Sequence, residues 1–385
     1  MKGTAPGRSG KRPKILHLHS TFSEGGKELR SVRLMNAFGP GVGHAIVSGE
    51  RGRMEAARHI QSRIPTLYPE DFPALQGIPT PGRLMRLARA MQPYDLVLTY
   101  NWGAIDAAMA HTLFKDQLGL PPLIHHEDGF NEDERRRLKK RRTWFRRLAL
   151  GKASGLVVPS ETLEEIALTE WTQPMGRVKR IVNGIDTGAF SKKPKPGALR
   201  GIVKRKGERW VGTLAGLRAV KNLPLLVQAF AALPKDWQLV IVGEGPERDA
   251  IRAEAEKLDV AERLHMPGFV PDPARFVGLF DIFALSSDSE QFPISLVEAM
   301  AAGCPVVATD VGDVARMVSS ANRPFVVPPG DGAALAKAFT DLAGDEDSMT
   351  QAGRANRDLA RAEYDERAMI DAYRRLYSSA MGREF

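Results

Sequence analysis

Two glutamates frame a turn that could do chemistry. Glu290 and Glu298 stand eight positions apart in SDSEQFPISLVEAMAAGCPVVATDVG, residues 287–312. A strand-like DIFALSS precedes Glu290, and Pro293 suits a first helical turn. ISLVEAMAA has a helical period and Gly303 is its natural stop, which puts Glu298 about a turn and a half inside the helix. The start of such a helix offers open N–H groups and positive dipole, which suit a phosphate. Carboxylates beside a phosphate suit hydroxyls instead, and ribose and hexose carry them. The plainer alternative is a surface helix with two incidental acids.

A bound phosphate needs cations or close backbone as well. Lys221, in the loop-to-helix step RAVKNLP, is the candidate cation, with Arg218 near it. Gly25 and Gly26 in TFSEGG, and Gly243 and Gly245 in IVGEGPE, allow close backbone approach; both pairs also fit plain structural turns. The acidic triplet Asp345-Glu346-Asp347 opens an apparent helix and does not follow a strand, so it reads as a helix start and not a metal site. LIHHEDGF follows a strand and carries His125, His126, Glu127 and Asp128. Neighbouring side chains on a strand point to opposite faces, which argues against a metal set there. Asn183, Gly184 and Asp186 read as mainly structural.

The elements that must position these residues alternate between strand and helix. KILHLHS, YDLVLTY, PPLIHHE, GLVVPS and KRIVNG read as strands of a first sheet. RWVGTLAG, WQLVIVGEG, RLHMPGF, DIFALSS, CPVVATD and PFVVPPG read as strands of a second. SKKPKPGALRGIVKRKGE, rich in Pro, Gly and Lys, reads as a linker between them. Alternation of this kind predicts parallel α/β layers, with ligands at the carboxyl ends of the strands.

At 385 residues, two domains are expected. No apolar run reaches membrane-spanning length, and MKGTAPGRSGKRPK has no apolar segment of a secretory signal. The single cysteine, Cys304, excludes an internal disulfide and suits a reducing cytoplasm. Residues 1–190 hold 29 Lys and Arg against 19 Asp and Glu, net +10; residues 191–385 hold 26 against 27, net −1. The densest basic run, Arg135–Arg147, interleaves cations with Leu138, Trp144 and Phe145. It reads as a solvated helix face, or as a patch for anionic lipid or an anionic acceptor. No motif for nucleic acid accompanies it.

The ordered set of motifs resembles the retaining family-four glycosyltransferases of the GT-B fold. Glu290-x7-Glu298 with AMAAGCPVVATDVGD, ILHLHSTFSEGGKE, VVPSETLEE, IVNGIDTGAF, GTLAGLRAVKNLPLLVQAF and LVIVGEGPERDAI carry the resemblance across nearly the whole chain. It implies two Rossmann-like doubly wound domains facing a central cleft. The expected divisions are 1–190 on the acceptor side, 191–362 for the nucleotide sugar, and 363–385 as a helix crossing back. It implies metal-independent, front-face transfer from a UDP- or GDP-type sugar, with no protein nucleophile and no separate cofactor. His126, Asp128, Arg218, Lys221 and Glu290 are the catalytic candidates. Gly25, Gly26, Gly243, Gly245, Phe292, Pro293, Ile294 and Glu298 are the donor-binding ones.

Three positions depart from the pattern. Gly216 stands where the family usually has an arginine, Asp128 where a histidine is common, and Gln291 where a glycine is common. The expected partners are a nucleotide-sugar donor and an anionic or lipid-linked glycan acceptor, with no nucleic acid. The expected location is cytoplasmic, with peripheral contact to the inner membrane surface through Arg135–Arg147. The rival readings are a sugar-nucleotide epimerase of the same architecture and a non-catalytic nucleotide-sugar-binding protein.

Overall fold

The computed structural model describes residues 11–130, Glu134 and 138–385. It has two compact units, one running to Val182 and including Met369–Phe385, the other spanning Asn183–Ala368. Arg135, Arg136 and Arg137 of the basic run lie outside the described residues.

The first unit holds β1 (Lys14–His19), α1 (Gly26–Phe38), β2 (Gly43–Ser48), β3 (Thr66–Leu67), α2 (Pro81–Met91), β4 (Leu96–Tyr100), α3 (Ile105–Leu118), β5 (Leu123–His126), α4 (Lys140–Ala149), β6 (Gly155–Val158), α5 (Glu161–Thr169) and β7 (Val178–Arg180). Its seven strands pair in parallel in the order β3-β2-β1-β4-β5-β6-β7. Helices cover both faces, so the central strands are apolar on both sides, as in LVLTY and GLVV. Ser160 caps α5, its hydroxyl accepting from the Leu163 N–H at 3.2 Å.

The second unit holds β8 (Arg209–Leu214), α6 (Leu223–Phe230), β9 (Trp237–Val242), α7 (Arg248–Lys257), β10 (Leu264–Gly268), β11 (Ile282–Leu285), α8 (Ile294–Ala302), β12 (Val306–Thr309), α9 (Val314–Met317), β13 (Val326–Val327), α10 (Gly332–Ala343) and α11 (Glu346–Glu363). Its sheet is parallel in the order β10-β9-β8-β11-β12-β13. In each unit the strand order reverses beside the first strand, between β1 and β4 and between β8 and β11. These switch points gather the loops that can hold a ligand.

The last helix, α12 (Glu366–Met381), begins in the second unit and from Met369 onward belongs to the first. Met369, Tyr373 and Tyr377 repeat every four residues on one face and are buried beside Ile15, Leu98 and Ile124.

Four expectations shift. The units divide after Val182 and again before Met369, where 190/191 and 362/363 were expected. Residues 191–208 are no free linker: Leu199 is buried, and the Lys204 ammonium reaches the Leu279 carbonyl and the Asp281 carboxylate at 2.7 and 2.5 Å. Those contacts tie the segment to the second unit. The strand read in KRIVNG ends at Arg180, because residues beyond it have no ladder partner. Pro293 precedes the first residue of α8 with extended backbone, one position earlier than expected.

Candidate functional site

In the second unit the expected donor residues meet at the carboxyl ends of β8 and β11. Lys221 lies in a short helical turn, and the left-handed Asn222 (φ 45°) redirects the chain into α6. The Asn222 amide donates to Asp288 at 2.8 Å, tying this turn to the loop after β11. Within that loop the Lys221 ammonium is ion-paired with Glu290. Glu290 also accepts from the Ser287 hydroxyl at 2.7 Å. Thr213, Ala215, Lys221, Ser287 and Glu290 line one small cavity there. Phe292 is buried edge-on against Tyr364, 5.8 Å between ring centres, which seats the start of α8. Ile294 opens that helix, and half-buried Glu298 lies one turn further along it.

Arg218 is exposed, with its guanidinium beside Gly216: a Cβ built on Gly216 would sit 3.6 Å from Arg218 Nε. Arg218 therefore fills space next to the position that lacks its arginine. Gly243 (φ 144°) and Gly245 (φ 155°) have a steric reason of their own. A Cβ would come within 1.9 Å of the Ala215 carbonyl oxygen at Gly243, and within 2.4 Å of the Leu217 oxygen at Gly245. They let the loop after β9 lie directly on the loop after β8. Asp345 is engaged as the cap of α11, accepting from the Asp347 and Ser348 N–H groups at 3.1 and 3.0 Å, while Glu346 pairs with Arg209.

In the first unit, α1 begins at Gly26 with Gly25 as its cap residue and no side chain closing its N-terminus. Gly25 has ordinary backbone (φ −99°); what excludes a side chain is the Glu28 carboxylate, 2.6 Å from a built Cβ. Arg30 of α1 makes a two-pronged ion pair with Asp128, one limb at 2.9 Å. The Asp128 N–H donates to the Asn101 side chain at 2.8 Å. Asp128 is thus fixed at the end of β5 as the counter-ion of Arg30.

His126 is a correction. It is 1% exposed and faces α12. Its Nδ1 donates to the Thr99 carbonyl at 3.3 Å, which leaves Nε2 to accept from the Tyr377 hydroxyl at 2.9 Å. Burial, then the Arg30 charge, holds its pKa well below the usual histidine value, so it is a neutral interior group. His125 points to the opposite face, also buried, with Nδ1 2.8 Å from the Thr99 hydroxyl. Neither histidine presents a ring nitrogen to solvent.

The basic run is corrected in part. Arg146 is fully buried, bridging Glu127 at 3.2 Å and Glu134 at 3.2 Å. Its guanidinium lies 5.0–5.4 Å from the rings of Trp102, Phe130 and Trp171. Lys139, Lys140, Arg141 and Arg147 remain exposed.

Comparison with known proteins agrees with this geometry. The family model for glycosyl transferases group 1 matches residues 198–359, and that for glycosyltransferase family 4 matches residues 41–189. The chain belongs to the group 1 glycosyltransferases. Among curated proteins, it is 25% identical over 210 residues to an N-acetyl-alpha-D-glucosaminyl L-malate synthase of Bacillus anthracis, covering 54% of this chain and 55% of that one. It is 32% identical over 136 residues to a diphospho-undecaprenol-directed 4-alpha-N-acetylgalactosaminyltransferase of Campylobacter jejuni, covering 35% and 36%. These matches span about a third to just over half of the relatives' own lengths. In fold it matches Anabaena HepE, solved with UDP, at a TM-score of 0.80 and 21% identity over 95% of this chain and all of that one. That likeness establishes the GT-B architecture.

Four residues near these sites were not singled out from the sequence. Lys27 follows the glycine pair directly, a signal that was legible; burial pushes its ammonium down to about 8. Gly312 (φ 57°) follows β12, and a Cβ there would come within 2.3 Å of the Glu290 carbonyl oxygen, so it fixes the Glu290 backbone. Arg30 was hidden among ordinary helix cations. His19 ends β1 fully buried and stacked on Tyr100 at 3.9 Å, and neither ring nitrogen has a hydrogen-bond partner among the described residues. Nothing in KILHLHS distinguishes His19 from His17, which pairs with His44 at 2.9 Å.

Proposed function

We propose that this chain transfers a hexose from a nucleoside-diphosphate sugar to an acceptor with retention at the anomeric carbon. The observation that carries the reading is Lys221 held by Glu290 at the head of α8, with Glu298 one turn on. Lys221, with Arg218 beside it, meets the charge that builds on the departing diphosphate. Glu298 accepts from the ribose hydroxyls and Glu290 from the sugar. The helix start at Phe292, Pro293 and Ile294 supplies N–H groups, and Gly243 and Gly245 lie under the nucleotide. In the first unit, Gly25 and Gly26 leave the start of α1 without a side-chain cap, open to an anion.

The bond from the anomeric carbon to the diphosphate oxygen breaks, and the acceptor oxygen bonds to the same face. The acceptor's proton goes to the leaving phosphate, so no protein nucleophile is needed. Cations on the chain carry the charge and the reaction proceeds without a metal; the use of Asp345 as a helix cap supports this. A UDP donor is favoured by HepE, which is solved with UDP and with UDP-glucose.

The acceptor is an anionic or lipid-linked glycan in polysaccharide or glycolipid synthesis, in keeping with the undecaprenol-directed relative. No helix among the described residues is long and apolar enough to cross a membrane. Peripheral contact with an anionic inner-membrane surface, on the cytoplasmic side, is a second reading. Trp144 and Leu148 favour it, 61% and 44% exposed and one turn apart among cations.

The test is hydrolysis and transfer from a panel of UDP and GDP sugars, with and without EDTA. Slow release of UDP, undisturbed by EDTA, is expected. Epimerised donor would install the epimerase reading, and binding with no turnover would install the non-catalytic one.

A further inference from the structure

The helix α4 turns one indole outward. Trp144 is the one exposed member of the chain's five tryptophans; Trp171, Trp210 and Trp237 are buried and Trp102 is half-buried. Two grooves flank it. One, of about 540 Å³, runs along Lys140, Thr143, Trp144 and Arg147, with Leu138 and Glu170 at its sides. Those four helix positions have the i, i+3, i+4, i+7 spacing of a single face. The other, of about 580 Å³, lies between Trp144 and Trp102 and is bounded by Arg141, Arg142 and Phe145. Arg142 covers the Trp102 ring at 4.9 Å, and Phe145 meets it edge-on at 5.7 Å, so this second indole is fixed.

Each groove combines an aromatic wall, a cationic rim and hydrogen-bonding groups. Both volumes fall in the range of small-molecule sites. The apolar C–H face of a sugar ring packs on an indole, while its hydroxyls need acceptors such as Glu170 and donors such as Thr143. Guanidinium groups match carboxylate, sulfate and phosphate oxygens in paired hydrogen bonds. A bilayer is a poorer match: it needs a convex apolar face, and the Glu170 carboxylate in one groove would meet anionic headgroups. Among the residues lining the two grooves Glu170 is the one acid, against Lys140, Arg141, Arg142 and Arg147.

We propose that the two grooves flanking Trp144 bind an anionic oligosaccharide, with the indole stacked on a sugar ring and Lys140, Arg141 and Arg147 meeting its acidic groups. The assignment names the chemistry of the acceptor and rests on the proposed transfer reaction for its role as acceptor. Binding itself is independent of turnover.

The experiment titrates the full chain with tetragalacturonate, a heparin-derived hexasaccharide and neutral maltohexaose, following tryptophan fluorescence and heat. The two anionic probes should quench the exposed indole and bind about tenfold tighter than maltohexaose. Trp144→Ala should lose binding of both, and Arg141→Gln with Arg147→Gln should remove the preference for the acidic probes. All variants should keep the wild-type thermal midpoint and wild-type UDP affinity, because these side chains are exposed. Equal affinity for neutral and acidic probes, or unchanged affinity in Trp144→Ala, overturns the proposal. So does Trp144-dependent co-sedimentation with phosphatidylglycerol vesicles in the absence of oligosaccharide binding, which would install the membrane reading. Glycan binding without donor hydrolysis would leave the binding site standing and remove the transfer reaction.

Discussion

Lys221 and Glu290 are ion-paired across the carboxyl ends of neighbouring strands, 69 residues apart in sequence. Each is mostly buried, with side chains 17% and 12% exposed. The pair holds a largely buried cation in the loop after β8, the group that the proposed function sets against the diphosphate.

A double-mutant cycle should show this coupling. Lys221→Ala leaves Glu290 as an uncompensated carboxylate next to the donor. Lys221→Ala with Glu290→Ala should therefore lose less UDP affinity than the two single losses added, with a coupling of about 0.5–3 kcal/mol. Simple additivity in calorimetry would contradict the pairing.

Glu298→Ala should weaken UDP by about 1–3 kcal/mol, the value of a hydrogen bond to a charged group with the cost of its lost partner. Uridine, which keeps the ribose and lacks the phosphates, should lose a comparable share. Unchanged affinity for both ligands would remove Glu298 from the ribose.

Arg146→Ala should destabilise the first unit by about 3–5 kcal/mol, because it leaves buried Glu127 and Glu134 without their shared cation. Urea unfolding measures this. A loss below about 1 kcal/mol, the scale of an exposed ion pair, would show that the cluster is solvated in solution.

Lys27 gives a pH dependence of known sign. Burial is the main cause of its lowered pKa, with Asp128 opposing and Arg30 adding to it. Its folded value of about 8 lies below the ordinary 10.5, so the folded chain binds fewer protons between the two, and its contribution to stability rises with pH there. Lys27→Arg stays charged across that range and should flatten the rise, as measured by urea unfolding between about pH 8 and about pH 10. An identical rise in the arginine variant would exclude Lys27 as its origin.

The buried histidines predict that the first unit loses stability in acid. His17, His19 and His126 are held well below 6.5, and His44 and His111 at about 4, in every case chiefly by burial. As pH falls through 6.5 the unfolded chain takes up protons that the folded one refuses, so stability drops toward pH 4. Protection against hydrogen exchange, relative to the intrinsic rate at each pH, should fall in β1, β4 and β5 more than in β8 and β9 between about pH 7 and about pH 5. Equal protection in both units across that range would refute this account.

The sequence by itself determined the two parallel sheets, because strands buried on both faces must be apolar throughout and their loops must carry the punctuation. It also determined the order of motifs that marks the family, and the helix-start role of Asp345, because capping is a local matter. Lys221 and Glu290 were legible one at a time, as a cation and an acid in loops after strands. Their pairing was not, since it depends on the crossover that sets β8 beside β11. Which way His125 and His126 face was also decided only in three dimensions. Strand alternation places them on opposite sides, but α12, arriving from the far end of the chain, supplies Tyr377 and turns His126 into interior. The same holds for Arg146, one of many cations in a basic run: Glu127, Glu134 and three aromatic rings converge on it from separate elements and bury it, while Trp144, two positions earlier, faces outward.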